Sequence, residues 1–435
     1  MSGKWFDGPV SARDDSGAAL ATPTARYATP VLIALSVGVA IPAYSRGALL
    51  AIEIPFVVLL PVLVHVLAKD AFLRLLWLVA ALWSVAQIVS DLVHGTQLLS
   101  APTLIGPTVA LLVTGLYWIY RVLNVDATSV LVAVGMGWTV LELLVGDLSA
   151  NGNPWKYSLA TPVTVTVLAF AYNKRLSTRW ILVALALLAG TSLYFDSRFQ
   201  LALHLVCAGL LIVSRRREEL REGQRRRLLL LLIAGSGALY LAYPAVALTG
   251  AIGDRAYQQQ VKYQAEGANY VLATRMEFPQ MLYLVGQNPV LGIGSYGPLA
   301  SDQAYGALEF VNVHVAPLSE NDRSYLLSTA QGSPGYHPHT AAMSAALYAG
   351  VLAFPFWIFL FFQLFRALRE ITARNALAPA LTIYVCGLAF WDALFSPLTN
   401  QSHVGLAVTL FLCLVLLRAG SDARNPGRRM VTPLS

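Results

Sequence analysis

The run PTLIGPTVALLVTGLYWIYRVL, Pro102–Leu123, carries a single charged residue, Arg121, and that stands in its last turn. Coiled as an α-helix its 22 residues span about 33 Å, enough to cross a hydrocarbon core of ~30 Å. A helix is required there, because each backbone N–H and C=O must find its partner inside the segment. Working outward, comparable apolar segments lie at 29–45, 48–68 and 72–93 before it, and at 127–146, 157–173, 179–195, 199–213 and 228–249 after it. Three more follow at 341–365, 376–395 and 402–418. The fold class expected is an all-α polytopic membrane protein with about 12 transmembrane helices and one large, partly helical external loop.

Composition agrees. Hydrophobic residues make up 57% of the 435 and charged ones 12%, half the roughly 25% usual in soluble domains. That excludes a soluble α/β enzyme, a disulfide scaffold and a disordered tail protein. A β-barrel is excluded by the length of the apolar blocks, since its signal is short alternating segments. The three cysteines, Cys207, Cys386 and Cys413, sit in apolar stretches without CxxC spacing, so they read as core residues. The net charge of +7 does not imply nucleic acid, because the basic residues punctuate the spans.

With the amino terminus inside, 23 of the 30 Lys and Arg fall on the cytoplasmic side, including seven arginines between 215 and 227. That last stretch reads as a solvated helix near anionic headgroups. The other face keeps Arg46, Lys156, Arg198, Arg255, Lys262, Arg275 and Arg323. The chain then divides into a tail over 1–28, spans one to nine over 29–249, an external loop over 250–340, spans ten to twelve over 341–418, and a tail over 419–435. A connection as long as 250–340 inside a compact protein is usually functional.

The chemistry-bearing residues of the external face are few. Arg198 follows Ser197 at a junction of two apolar helices with almost no loop. It is either an interfacial arginine reaching headgroups or a fixed cation facing a water-filled site. Arg275 lies on an amphipathic run and precedes Asn288-Pro289-Val290-Leu291-Gly292-Ile293-Gly294, a turn signal. His337 and His339, in Tyr336-His337-Pro338-His339-Thr340, head the apolar run from Ala341, where a helix N-terminus offers N–H groups to an anion. A metal pair is disfavoured there, because no acidic residue lies close by in sequence. Asp392, in Phe390-Trp391-Asp392-Ala393, stands near the outer end of its helix, as do the acids Glu53, Glu142 and Asp147. A buried aspartate needs a partner, and orienting a histidine is one such role.

Together these motifs resemble the O-antigen ligase and polymerase superfamily. Its members commonly show a Ser-Arg-Gly turn, an Arg followed by Pro-x-x-Gly-x-Gly, and a His-Asn pair before a helix. Here they read Ser197-Arg198-Phe199, Arg275 with Pro289–Gly294, and His339-Thr340, so Phe199 stands where Gly is frequent and Thr340 where Asn is frequent. The resemblance covers about 180–365 directly, and span count extends it over the chain. It implies a GT-C-like glycosyltransferase of the bacterial inner membrane with its site toward the periplasm. The donor would be a glycan on undecaprenyl pyrophosphate and the acceptor, for a ligase, a sugar hydroxyl of lipid A-core. It implies no metal or other cofactor and no nucleic-acid partner, with membrane lipids as surroundings. Arg198 and Arg275 would hold the pyrophosphate, His339 would act as general base and Asp392 would orient it, with His337 and Arg323 in support. Loop aromatics, Tyr283, Tyr296 and Tyr305 among them, would suit sugar faces or pack within the cap.

The sister activity, polymerisation of repeat units from the same donor, is the nearest alternative. A ligase is favoured by the single large late loop. A metal-dependent lipid-linked glycosyltransferase is disfavoured, because Pro42–Gly47 in the first external connection holds no carboxylate. A transporter carries low weight, since common twelve-span carriers have a long cytoplasmic link between two related halves, whereas here the middle link, Asn173–Arg179, is short and the long loop lies outside.

Overall fold

The computed structural model describes residues 25–44, 48–98, 100–146, 153–215, 245–251, 277–296, 299–314, 340–373, 378–399 and 402–424, with isolated positions at 235, 242, 254, 257, 258, 260, 261, 318, 320, 323, 324 and 327. The first half is built from α1 (Ala25–Ala40), a hairpin of β1 (Pro42–Tyr44) and β2 (Leu49–Leu50), α2 (Glu53–Val58), α3 (Leu60–Lys69), α4 (Ala71–His94), α5 (Ala101–Val122) and α6 (Ala127–Val145). A π-helical turn at Trp155–Leu159 leads into α7 (Ala160–Asn173), followed by α8 (Thr178–Tyr194) and α9 (Arg198–Arg215). Then come α10 (Glu277–Gln287), α11 (Ser301–His314), α12 (Ala341–Ala349), α13 (Phe354–Ala373), α14 (Pro379–Phe395) and α15 (Ser402–Arg424).

Among the described residues five helices are long and apolar enough to cross a membrane: Ala71–His94, Ala101–Val122, Ala127–Val145, Val351–Ile371 and Ser402–Gly420. Five shorter helices, including Thr178–Tyr194 and Pro379–Phe395, are also apolar. The protein is therefore a helical, membrane-embedded chain. Its outward surface supports this: Ile358, Phe362 and Phe365 on one face of α13 are each more than half exposed. Such a face, unfavourable in water, suits acyl chains.

Local chemistry sets the ends of α4. Asp70 caps its start, Oδ1 accepting from the N–H of Phe72 at 2.9 Å. The same oxygen receives Arg418 Nη2 of α15 at 2.7 Å, tying the two helices. Gly95, at φ 65°, closes the other end in the left-handed conformation. Midway, Trp83 is fully buried between Phe356 and Trp357 of α13, at centroid distances of 5.1 and 5.8 Å.

Two expected spans differ from the sequence reading. The segment 48–68 opens as a strand and is split at Leu59 into α2 and α3, with Pro61 in the first turn of the second. The segment 341–365 is not one helix. It breaks at Gly350, φ 73°, and α13 starts again beyond a 3-10 turn, Val351–Ala353. The cause lies elsewhere in the chain: Val351 N donates to Pro289 O at 2.8 Å instead of to the preceding turn. A Cβ on Gly350 would stand 2.0 Å from Val290 O. Gly350→Ala is accordingly expected to cost about 2–3 kcal/mol, left-handed strain plus the clash, read as lowered resistance to SDS unfolding. Stability equal to wild type would refute this account of the break. The span expected at 228–249 lies mostly outside the described residues, as does much of 250–340.

Two of the other acids, Glu53 and Glu142, have structural partners. Glu53, fully buried, accepts from Leu50 N at 2.7 Å and faces His403 Nε2 at 3.3 Å, joining α2 to α15. Glu142 accepts from Trp138 Nε1 at 3.0 Å. Asp147 lies outside the described residues.

Candidate functional site

Arg198 is placed by the way α8 stops. Asp196 takes a left-handed φ of 49°, and Ser197 N donates back to Ser192 O at 2.8 Å, so the chain reverses within three residues. Arg198 opens α9, with its Nε donating to Asp196 Oδ1 at 3.2 Å. Both side chains are about a fifth exposed, 23% and 22%. A pair this accessible contributes about 1 kcal/mol or less, so its effect is to aim the guanidinium rather than to hold the fold. Asp196 was legible two residues from Arg198 and was not singled out.

Phe199, next in sequence, lies flat on Trp391 of α14 with centroids 4.1 Å apart and planes 15° from parallel. The Phe199 ring thus joins the Arg198 junction to the Asp392 end of α14. Asp392 is half-buried and accepts from Ser396 Oγ, one turn on, at 2.6 Å. Its expected partner, His339, lies outside the described residues, as do His337 and Arg275.

Beneath this end a polar network runs between α7, α8, α9 and α14. Tyr384 Oη donates to Gln200 Oε1 at 2.7 Å, and Gln200 Nε2 donates to Thr161 Oγ1 at 3.2 Å. His204, fully buried, stacks on Tyr384 at 5.4 Å and lies 3.1 Å from Thr164 Oγ1. Trp155 Nε1 donates to Ser192 Oγ at 3.0 Å. Sequence reasoning missed this set. The available signal was a histidine and a glutamine inside an apolar helix, where polar groups are costly and therefore partnered.

The third component is the glycine-bearing segment Asn288–Gly294. Ile293 N and Gly294 N donate to Leu347 O at 2.8 Å and Tyr348 O at 3.1 Å, so the segment lies on the end of α12. Gly292, φ 67°, admits no side chain: a Cβ would approach Leu347 O to 2.4 Å. Ser295 follows and seats on α4, its N–H 2.5 Å from Asp91 Oδ1 and its hydroxyl 2.9 Å from Asp91 Oδ2. Thr340 caps α12, its Oγ1 accepting from Met343 N at 3.1 Å. The residue beside His339 therefore takes one of the N–H groups that the sequence reading offered to an anion.

Two of the loop tyrosines are packing residues. Tyr296 meets Tyr348 edge-on at 5.4 Å, and burial pushes its phenol up to about 12. Tyr283 packs against Phe310 at 5.6 Å. Arg323 lies in the same 250–340 stretch, its Nη2 donating to Asn312 Oδ1 at 3.4 Å. Arg198 and Asp392 thus each adjoin in sequence one ring of the Phe199–Trp391 stack, while Arg323 belongs to a different group of residues. Comparison of the sequence with family models and with curated proteins finds no match in either.

Proposed function

We propose that the protein is an O-antigen ligase of the bacterial inner membrane, acting toward the periplasm in lipopolysaccharide assembly. It would move O-antigen polysaccharide from undecaprenyl pyrophosphate to a sugar hydroxyl of lipid A-core. The observation that carries the reading is the clasp between two motifs far apart in the chain. The Pro289–Gly294 segment is hydrogen-bonded, backbone to backbone, to the helix that His339-Thr340 heads. The Arg198 junction adds a cation aimed by Asp196 and joined through Phe199 to the Asp392 helix.

In the reaction the acceptor oxygen attacks the anomeric carbon and the bond from that carbon to the phosphate oxygen breaks. Undecaprenyl pyrophosphate leaves with that bond's electron pair. His339 takes the hydroxyl proton as general base, oriented by Asp392. Arg198 and Arg275 offer forked N–H donors to the charge growing on the pyrophosphate. No metal enters these steps.

The test is transfer by the purified, full-length protein in lipid nanodiscs supplied with undecaprenyl-pyrophosphate glycan. One vessel receives lipid A-core as acceptor, another only further donor, each with and without EDTA. Glycan joined to lipid A-core at equal rates with EDTA is the expected result. Chain growth in the donor-only vessel alone would replace the ligase by a polymerase. No product in either vessel would remove the glycosyl-transfer reading.

A further inference from the structure

We propose that a groove on α11, separate from the Arg198 junction, binds a single neutral or amino-sugar ring. The proposal rests on the glycosyl-transfer reading for where that ring comes from, a glycan substrate, but not for the binding itself.

The groove follows from helix periodicity. Tyr305, Leu308, Glu309 and Asn312 stand at i, i+3, i+4 and i+7 of α11, which places them on one stripe. The rest of the lining is Glu320, Arg323, Ser324 and Leu327, described positions that follow α11 in the chain. Asn312 ties two later positions to the helix: its Oδ1 accepts from Leu318 N at 3.1 Å and from Arg323 Nη2 at 3.4 Å. Leu308, Val311 and Leu318 form a small apolar cluster with Leu327 against it. The result is an open-sided cavity of about 280 Å³ with an apolar wall and a polar rim.

Size and charge select the ligand. Small-molecule pockets run from roughly 300 to 1,000 Å³, so this one accommodates one ring rather than an oligosaccharide or a lipid chain. The charged lining is Glu309 and Glu320 against Arg323, two carboxylates to one guanidinium. That balance disfavours a phosphate, so the groove is not a second diphosphate site. It suits a polyhydroxylated ring, whose neighbouring O–H groups donate to carboxylate oxygens while Arg323 donates to a ring or hydroxyl oxygen. A sugar also has an apolar C–H face. Tyr305, 58% exposed at the lip, offers a ring to it, whereas Tyr283 and Tyr296 are packed against other aromatics. Structure thereby separates one loop tyrosine that fits a sugar from two that hold the cap.

The experiment is saturation-transfer NMR on the full-length protein in nanodiscs. The probes are the methyl glycosides of glucose, galactose, glucosamine and N-acetylglucosamine, each with and without inorganic phosphate. Saturable binding of at least one glycoside is expected, unaffected by phosphate and weakened at least about tenfold, or 1.4 kcal/mol, by Tyr305→Ala and by Glu309→Gln. Both positions are exposed, so unchanged melting temperatures accompany the loss. No saturable binding by wild type, variants that bind as wild type does, or competition by phosphate would each overturn the proposal. In the transfer assay the same variants raise KM for the glycan-bearing acceptor and leave kcat in place. Sugar binding without any transfer would defeat the ligase reading alone. Transfer with no Tyr305-dependent sugar binding would defeat the groove alone.

Discussion

Transfer by the His339→Ala protein is expected to fall by about 10²–10⁴-fold at neutral pH, the usual contribution of a positioned general base. In the proposed reaction the acceptor is a sugar hydroxyl, which cannot become a competent nucleophile near neutrality unless its proton is taken as it attacks. Because hydroxide can partly replace the missing imidazole, the deficit should shrink as pH rises. In the same proposed reaction Arg198 serves the opposite side of the broken bond, so Arg198→Ala should lose about 10²–10³-fold in kcat, the scale for one donor to developing charge. Its deficit should not shrink with pH. Arg198→Lys keeps the charge but loses the forked donors that Asp196 aims, so it should recover part of the rate. Single-turnover rates across pH, with membrane insertion checked for each variant, separate these cases. Full activity of His339→Ala at neutral pH would sink the base assignment. An Arg198→Ala protein altered only in KM would reduce that residue to uniform substrate binding.

Asp91→Ala should be the most damaging substitution for stability, lowering it by about 3–5 kcal/mol. The side chain is completely buried and gathers donors from three separate stretches. Gln87 Nε2 reaches Oδ1 at 3.1 Å, Thr96 Oγ1 at 2.8 Å and the Ser295 N–H at 2.5 Å. Ser295 Oγ and Thr103 Oγ1 donate to Oδ2 at 2.9 and 3.2 Å. Removing both oxygens leaves these donors buried with no equivalent acceptor and releases the segment that clasps α12. Asp91→Asn should cost only ~1–2 kcal/mol. It keeps an oxygen for the Ser295 N–H, and the serine and threonine hydroxyls can turn to accept from the new amide. SDS titration supplies the free energies. Limited proteolysis should cut within 250–340 sooner in the alanine variant. An Asp91→Ala protein within ~0.5 kcal/mol of wild type would show that the carboxyl does not fasten the segment.

The membrane class of the fold was readable in Pro102–Leu123 and its neighbours, because partition into hydrocarbon depends on composition along a short length of chain. The tight reversal at Ser197-Arg198 was readable for the same reason: two apolar blocks meet with nothing between them. Gly350 was not readable as a break, since the apolar pattern runs through it. The interruption comes from Val290 and Pro289, some sixty residues earlier, pressing against that one backbone position. Equally, Asp392 could be marked as a polar residue needing a partner, but not as the acceptor of Ser396 beside a Phe199–Trp391 stack.

Segment character and the short list of charged residues outside the apolar blocks are local quantities, so the linear chain contains them. Which of those residues face one another depends on contacts between distant segments: Asp91 with Ser295, Gly292 with Leu347, His204 with Tyr384. Such contacts are selected by packing and hydrogen-bond satisfaction summed over the whole bundle, and no stretch of sequence read alone carries that sum.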